Sequence, residues 1–128
     1  MSRFYHIEIA RHAAGVDLKW VDNLLSHFKV PGVESGTQGV ARRITLDGVY
    51  HVALIARLNR GMGMSVSTSV ALASRLLASE SSRAIVGSGL ELHVDRRAFA
   101  IEIDRRINDA VEASTPPRRG RPPRRASE

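Results

Sequence analysis

Cysteine is absent from this chain of 128 residues, and aromatic residues make up only 5% of it. The first absence excludes disulfide bonds, thiolate metal sites and cysteine nucleophiles. The second means that a core must be built from leucine, isoleucine, valine and alanine. No apolar stretch approaches the roughly 18–20 residues that span a bilayer, and the N-terminal segment lacks a signal peptide's apolar centre. We therefore expect one domain with appendages in a cytoplasmic protein that has no membrane segment.

The residue types of catalytic sites are present but not gathered into a constellation. The five histidines are scattered along the chain, and no paired carboxylates, metal-ligand spacing or nucleophile motif such as Gly-x-Ser-x-Gly occurs. Tyr50 and His51 lie in an apolar segment and are expected to pack rather than to catalyse. The sequence therefore predicts no enzyme, no metal, no cofactor and no small-molecule effector.

Positive charge is concentrated in two parts of the chain, within a formal net charge of +6. Residues 1–60 hold eight Lys and Arg against five acids, residues 61–115 hold six against seven, and residues 116–128 hold five against one. The two ends are thus basic and the middle is balanced. Such an asymmetry favours a polyanionic partner, and double-stranded DNA is the first candidate.

Residues 7–28 have the pattern of two short helices joined by a turn at Gly15-Val16. Gly15 can end the first helix, because glycine adopts left-handed backbone angles at little cost. The carboxylate of Asp17 is suited to cap the second helix. Apolar residues recur at helical spacing on one face of each helix: Ile7, Ala10 and Ala14 in the first, and Val21, Leu24, Leu25 and Phe28 in the second.

The opposite face of the second helix is polar. It carries Lys19, Trp20, Asn23, Ser26 and His27. A helix, a glycine turn and a second helix with hydrogen-bonding side chains outward form the helix-turn-helix pattern of DNA readers.

A two-stranded wing is predicted next. A short strand near Val33 leads to a glycine-rich tip at 36–39 and a return strand over 40–44. Arg42 and Arg43 lie on that return strand, and alternation along a strand places them on opposite faces. One of the two is expected to face a DNA phosphate.

The rest of the domain is predicted to be mainly helical. A core helix capped by Thr45 or Asp47 covers about 48–60, and Ser65 caps another through about Leu77. Strands at 84–86 and 90–94 flank a Gly-Ser-Gly turn and form a second hairpin. Asp95 caps a last helix to about 113, with an apolar seam that can dock on the domain or pair with a second copy: Phe99, Ile103, Ile107 and Val111.

Composition shifts sharply after Ser114. The segment TPPRRGRPPRR has four prolines and no apolar side chain able to support a core, and we expect it to be disordered in isolation. The chain is therefore divided into a DNA-binding domain at 1–78, a hairpin and helix at 79–114 with a possible dimerisation role, and a basic tail at 115–128.

The order of elements in residues 5–77 resembles the winged helix-turn-helix DNA-binding domain of the MerR family. The resemblance rests on the Gly15-Val16 turn, the reading helix, the wing with Arg42-Arg43 and the start of a helix at Gly63-Met64-Ser65-Val66. It is one of pattern, with little identity. His27-Phe28 stands near the place of the family's tyrosine pair, and the family's long dimerisation helix is absent. The resemblance implies DNA binding by residues of the second helix and the wing, but not ligand-triggered activation.

The tail resembles an AT-hook, whose core is Arg-Gly-Arg-Pro flanked by basic residues and prolines. Arg119, Gly120, Arg121 and Pro122 match that core, and Arg118 precedes it. Arginines of an extended segment fit the narrow, strongly negative minor groove of A·T tracts. The alternative is a generic basic tail that only screens phosphates.

The leading hypothesis is a sequence-specific DNA-binding protein that regulates transcription, works as a homodimer and associates with the bacterial nucleoid. Asn23 is suited to adenine and Lys19 to guanine or phosphate, while Trp20 contacts a thymine methyl or braces the first helix. The acidic Asp22 accepts from cytosine or pairs with Lys19. The complete set of predicted DNA contacts is Lys19, Trp20, Asn23, His27, Arg42, Arg43, Arg118, Arg119, Gly120, Arg121 and Pro122.

Two other functions are compatible with the sequence. An architectural or excisionase-type factor of a mobile element would bend DNA without recruiting polymerase. A protein-interaction adaptor would use the helix-turn-helix only as a scaffold for the hairpin at 84–94.

Overall fold

A computed structural model of the chain describes residues 3–34 and 42–114, and these residues form a mainly helical domain with two small antiparallel hairpins. The helices are α1 Ile7–Ala14, α2 Leu18–His27, α3 Leu46–Ala56, α4 Val66–Ala78 and α5 Arg96–Ser114. The strands are β1 Val33–Glu34, β2 Arg43–Ile44, β3 Arg83–Gly87 and β4 Leu90–His93. The predicted combination of helices with small hairpins is confirmed. Within the described part, none of the helices is long and apolar enough to cross a membrane.

The turn between α1 and α2 is made as the sequence predicts. Gly15 has φ of 71°, and the N–H groups of Gly15 and Val16 donate to the last carbonyls of α1. Asp17 stands at the N-cap of α2, but its side chain makes no capping hydrogen bond, so the predicted capping role of its carboxylate is wrong.

The buried face of each helix is close to the predicted one. In α2, Val21, Leu24 and Leu25 are buried and Phe28 is half-buried. In α1 the buried face is shifted by one residue, because α3 and α5 both pack against this helix. Its buried residues are Ile9, Ala10 and Ala13, while Ile7 and Ala14 are half-buried.

The first hairpin, β1 and β2, is anchored at its base by polar and backbone contacts. Val33 pairs with Ile44, and Tyr5 forms an isolated bridge to Ile44 on the other side. Thr45 caps α3 by accepting from the Gly48 N–H and also donates its hydroxyl to the Gly32 carbonyl. Gly32 has φ of 83°, and a Cβ there would lie 2.3 Å from the Gly48 nitrogen. The chain therefore requires glycine at this crossing.

The centre of the domain is α3. Every residue from Gly48 to Ala56 is buried except the half-buried Tyr50, as its nearly all-apolar sequence predicts. A π-helical turn, Arg57–Gly61, follows α3 where the sequence predicted continued α-helix. Ser65 then caps α4 by accepting from the Thr68 N–H at 3.1 Å.

The second hairpin, β3 and β4, leads into α5. Ala84 is buried and its cross-strand partner Leu92 is half-buried, so one face of the hairpin packs on the core. Asp95 caps α5 by accepting from the Ala98 N–H at 3.1 Å.

The apolar seam of α5 docks on its own domain. Phe99, Ile103 and Ile107 belong to the same core as α1 and α3, which answers the question that the sequence left open. Arg106 donates to the Ala13 carbonyl near the end of α1, whereas Ala113 lies beside Glu8 near its start. The two helices are therefore antiparallel, and α5 ends at the N-terminal end of α1.

Candidate nucleic-acid interface

The outward face of α2 presents three of the predicted contacts in one row. Lys19, Asn23 and His27 are exposed and follow one another at intervals of four residues, which places them along one side of a helix. The His27 Nδ1 atom lies 2.8 Å from the Asn23 carbonyl, so this ring is held against the last turn of α2. Among the described residues, no side-chain hydrogen bond or ion pair holds Lys19 or Asn23, and both side chains are exposed near the first turns of α2.

Trp20 borders this row on one side. It is half-buried and packs against the core, and with Asn23, His27, Phe28 and Val66 it lines a shallow pocket of about 270 Å³. The brace that the sequence offered as an alternative to a DNA contact was placed against α1. The structure puts the indole instead on the side of α2 where α4 begins.

Arg42 joins the first hairpin to α2. Its Nη1 donates to Asp22 Oδ1 at 2.7 Å, and its Nη2 donates to Ser26 Oγ at 2.9 Å. Asp22 and Ser26 are four residues apart and lie on the outward face of α2, so the guanidinium spans one turn of that face. The acid at 22 is thus paired with Arg42, and the predicted pairing with Lys19 is wrong.

Arg43 points elsewhere. Its guanidinium carbon lies 5.3 Å from the ring centre of Phe4, and Arg3 is stacked in the same way over Tyr5 at 5.1 Å. Among the described residues, neither arginine has an acidic partner within salt-bridge distance. Because Tyr5 pairs with Ile44, this segment adds its cations to the side of the hairpin.

A groove lies between these elements. It has a volume of about 570 Å³ and is lined by His6, Ile7, Leu18, Lys19, Asp22 and Arg42. Its charged walls are the Lys19 ammonium and the Arg42–Asp22 pair, and its floor includes the apolar side chains of α1 and α2. The first turns of both helices therefore border one concave, largely apolar surface that carries the Lys19 cation and the Arg42–Asp22 ion pair.

The predicted wing tip at 36–39 and one group of predicted contacts fall outside the described residues. That group is the tail residues Arg118, Arg119, Gly120, Arg121 and Pro122. The structure does define where the tail begins. The last turn of α5, which the tail follows in the sequence, lies beside α1.

The marked pKa shifts lie away from this surface. Partial burial and a 2.6 Å hydrogen bond to Asp104 raise the pKa of Tyr50 well above its ordinary value. A hydrogen bond from Arg57, with further attraction from Arg106, lowers the pKa of Glu102. Tyr50 ties α3 to α5, and Glu102 ties α5 to the π-helical turn that follows α3. Within residues 3–34 and 42–114, no group of three or more His, Asp or Glu is placed to hold a metal ion.

The sequence reasoning missed the roles of Ser26, Phe4 and Arg3. A signal for Ser26 was present, because it follows Asp22 by one helical turn. Nothing local marks the residues before α1, since their place depends on the Tyr5–Ile44 bridge. Comparison of the chain with protein-family models, with curated proteins and with solved structures gave no match.

Proposed function

We propose that this protein is a sequence-specific DNA-binding regulator of transcription, with a winged helix-turn-helix formed by α1, α2 and the first hairpin. The observation that carries the proposal is the double hydrogen bond from Arg42 to α2. It places an exposed helix face and a basic hairpin on one surface, as simultaneous contact with a groove and its flanking backbone requires.

In this proposal α2 enters the major groove by its first turns. Asn23 offers a donor and an acceptor that match the edge of adenine, and Lys19 reaches guanine or a phosphate. The row formed with His27 is about two helical turns long, a suitable length for a few base pairs. Trp20 holds α2 in place from the α4 side.

The tail extends the same contact. Residues 116–128 carry five arginines and one acid, and they follow α5, whose last turn lies beside α1. From Ser114 to Arg119 an extended chain reaches roughly 17 Å, or about five base pairs. The tail would therefore enter the minor groove immediately next to the site read by α2.

The test is binding of the full chain to a random duplex library across a range of salt concentrations. We expect one enriched sequence and a steep decrease of affinity with salt, because phosphate contacts release counterions. Absence of binding at low salt would overturn the proposal. Lys19→Ala should weaken this binding. Arg97→Ala is the matched control and should not, because it removes an exposed cation from the first turn of α5, away from α2.

A bending measurement on the enriched site separates a regulator from an architectural factor. Protection of one operator with a modest bend supports regulation. Weak specificity with phased sites and strong bending supports the architectural or excisionase-type role.

The second hairpin favours a second candidate function, the presentation of an apolar surface to another protein. Ile85 and Leu90 are 68% and 63% exposed, although neighbouring Ala84 is buried. A second copy is the partner that we propose, because both copies would offer the same apolar tip and the same open strand edges. The seam of α5 is buried and cannot serve this purpose. Sedimentation equilibrium of the full chain tests self-association, and replacement of Ile85 and Leu90 by serine should abolish it.

A further inference from the structure

Two adjacent arginines of the first hairpin have opposite environments. Arg42 is hydrogen-bonded to Asp22 and Ser26, and its side chain is only 26% exposed. Arg43 is exposed, stacks on the ring of Phe4 and has no acidic partner among the described residues. The sequence places them on opposite faces of one predicted strand, but it does not indicate which of the two faces a phosphate.

The contacts of Arg42 limit what it can do when DNA approaches. Two of its five N–H groups already donate to Asp22 and Ser26, and its side chain is mostly covered, so the guanidinium could turn fully toward a phosphate only by leaving the charge-assisted hydrogen bond to Asp22. That move would also leave the Asp22 carboxylate, which is 56% exposed, unmasked on the face that meets the polyanion. The gain of one phosphate contact would be offset by the loss of one ion pair and by repulsion of the uncovered acid.

Arg43 has neither restriction. Stacking on an exposed aromatic ring leaves the N–H groups at the edge of a guanidinium available to donate. A phosphate could therefore be bound without loss of an existing ion pair.

We infer that Arg42 is a positioning residue, which fixes α2 against the hairpin and masks Asp22, whereas Arg43 supplies the phosphate contact. This inference rests on the proposed DNA-binding function. The Arg42–Asp22 pair is close to neutral as a unit, so it adds little to the attraction that every DNA sequence exerts. Its role is to hold the reading face in one position and so to favour the correct site over others.

Salt dependence distinguishes the two roles. Each phosphate neutralised contributes about 0.9 to the slope of log affinity against log salt concentration. We expect Arg43→Ala to reduce that slope by about 0.9 and to weaken binding to all duplexes alike. The double variant Asp22→Asn with Arg42→Gln conserves net charge. We expect it to keep the slope and to lose about tenfold in affinity for the preferred duplex only.

The single variant Arg42→Gln completes the design. It should bind more weakly than the double variant, because the Asp22 carboxylate then faces the phosphates unmasked. If Arg42→Gln and the double variant both lose about 0.9 of the slope, Arg42 is itself a phosphate contact and the inference is overturned. An unchanged slope for Arg43→Ala would overturn the other half.

The positioning contact is also measurable without DNA. In a nuclear magnetic resonance spectrum of the free full-length protein, the Arg42 guanidinium protons should exchange slowly with water, and Asp22→Asn should make that exchange fast. If wild type binds no duplex but shows slowly exchanging Arg42 protons, the proposed function is wrong, but the contact of Arg42 with Asp22 is confirmed. If the Arg42 protons exchange fast in wild type, that contact is wrong whatever the protein binds.

Discussion

The two hairpins of this protein have a similar topology but opposite surfaces. The first hairpin is held at its base by Thr45 and by the Gly32–Gly48 crossing, and Arg42 fastens it to α2. The second is held by apolar packing of one face, while Ile85 and Leu90 of the same hairpin are open to solvent. On the proposed function, the first hairpin meets a charged polymer in a fixed orientation. The second meets an apolar surface, and burial of that surface stabilises the contact.

The largest expected effect breaks the base of the first hairpin. Gly32→Ala adds a Cβ within 2.3 Å of the Gly48 backbone at a φ of 83°. We expect the free energy of unfolding to decrease by about 3–5 kcal/mol, because backbone cannot move aside as a flexible side chain would. Urea denaturation measures it.

Gly89→Ala in the second hairpin is the matched control. It has a similar φ of 73°, but apart from its chain neighbours no atom of the described residues lies within 4 Å of the added Cβ. The cost should be about 1–2 kcal/mol, from the backbone angle alone. Equal losses for the two variants would mean that the glycine crossing has no special importance.

The next effect concerns the reading face. Lys19→Ala with Asn23→Ala should weaken binding to the preferred duplex about 100-fold, since each base contact contributes about 1–3 kcal/mol. Ile85→Ser with Leu90→Ser should leave that binding unchanged and remove self-association. Fluorescence anisotropy and sedimentation of both variants test whether the two hairpins serve separate partners. Loss of DNA binding in the Ile85 and Leu90 variant would show that the two surfaces are coupled.

A smaller effect is expected in the tail, which lies outside the described residues. Arg119→Ala with Arg121→Ala should lower affinity about tenfold for duplexes with an A·T tract next to the site, because arginine favours a narrow minor groove. Arg124→Ala with Arg125→Ala removes the same charge outside the Arg-Gly-Arg-Pro core. If both variants lose affinity equally on A·T-rich and G·C-rich flanks, the tail is a generic basic segment.

The smallest expected effect concerns a contact outside both hairpins, the hydrogen bond that Tyr50 donates to Asp104 and that ties α3 to α5. Tyr50→Phe should reduce the free energy of unfolding by about 1 kcal/mol near neutral pH. DNA binding and self-association should be unchanged. The folded state raises the pKa of Tyr50, so its contribution is complete below the ordinary tyrosine pKa of about 10 and is lost as pH rises through the folded value. Thermal unfolding at increasing alkaline pH should show this loss in wild type but not in Tyr50→Phe.

Sequence patterns predicted those parts of the fold that local chemistry decides. Ser65, Thr45 and Asp95 each cap a helix with their own side chains, and Gly15 ends one, because these contacts span only a few residues. The predicted capping hydrogen bond of Asp17 is wrong, although Asp17 does stand at the N-cap position of α2. A favourable residue type does not guarantee that its side chain turns toward the helix.

The candidate surface was predictable only in part. Periodicity identified the outward row on α2, but the pairing of Arg42 with Asp22 joins residues 20 positions apart through the angle between a hairpin and a helix. That angle depends on the glycine crossing and on the Tyr5–Ile44 bridge, which no local pattern indicates. Whether α5 packs on its own domain or on a second copy likewise depends on the surface that α1 and α3 form together, which a pattern within α5 does not contain.

The contact between α1 and α5 also has a consequence for how the protein is made. Arg106 meets Ala13 across 93 positions of sequence, so the apolar face of α1 has no α5 to cover it during most of translation. At about 5–20 residues per second, that interval lasts roughly 5–20 s. The packing of α1 is therefore complete only after α5 has been synthesised. We expect a polypeptide arrested before that point to expose the apolar face of α1 and to aggregate, not to bind DNA.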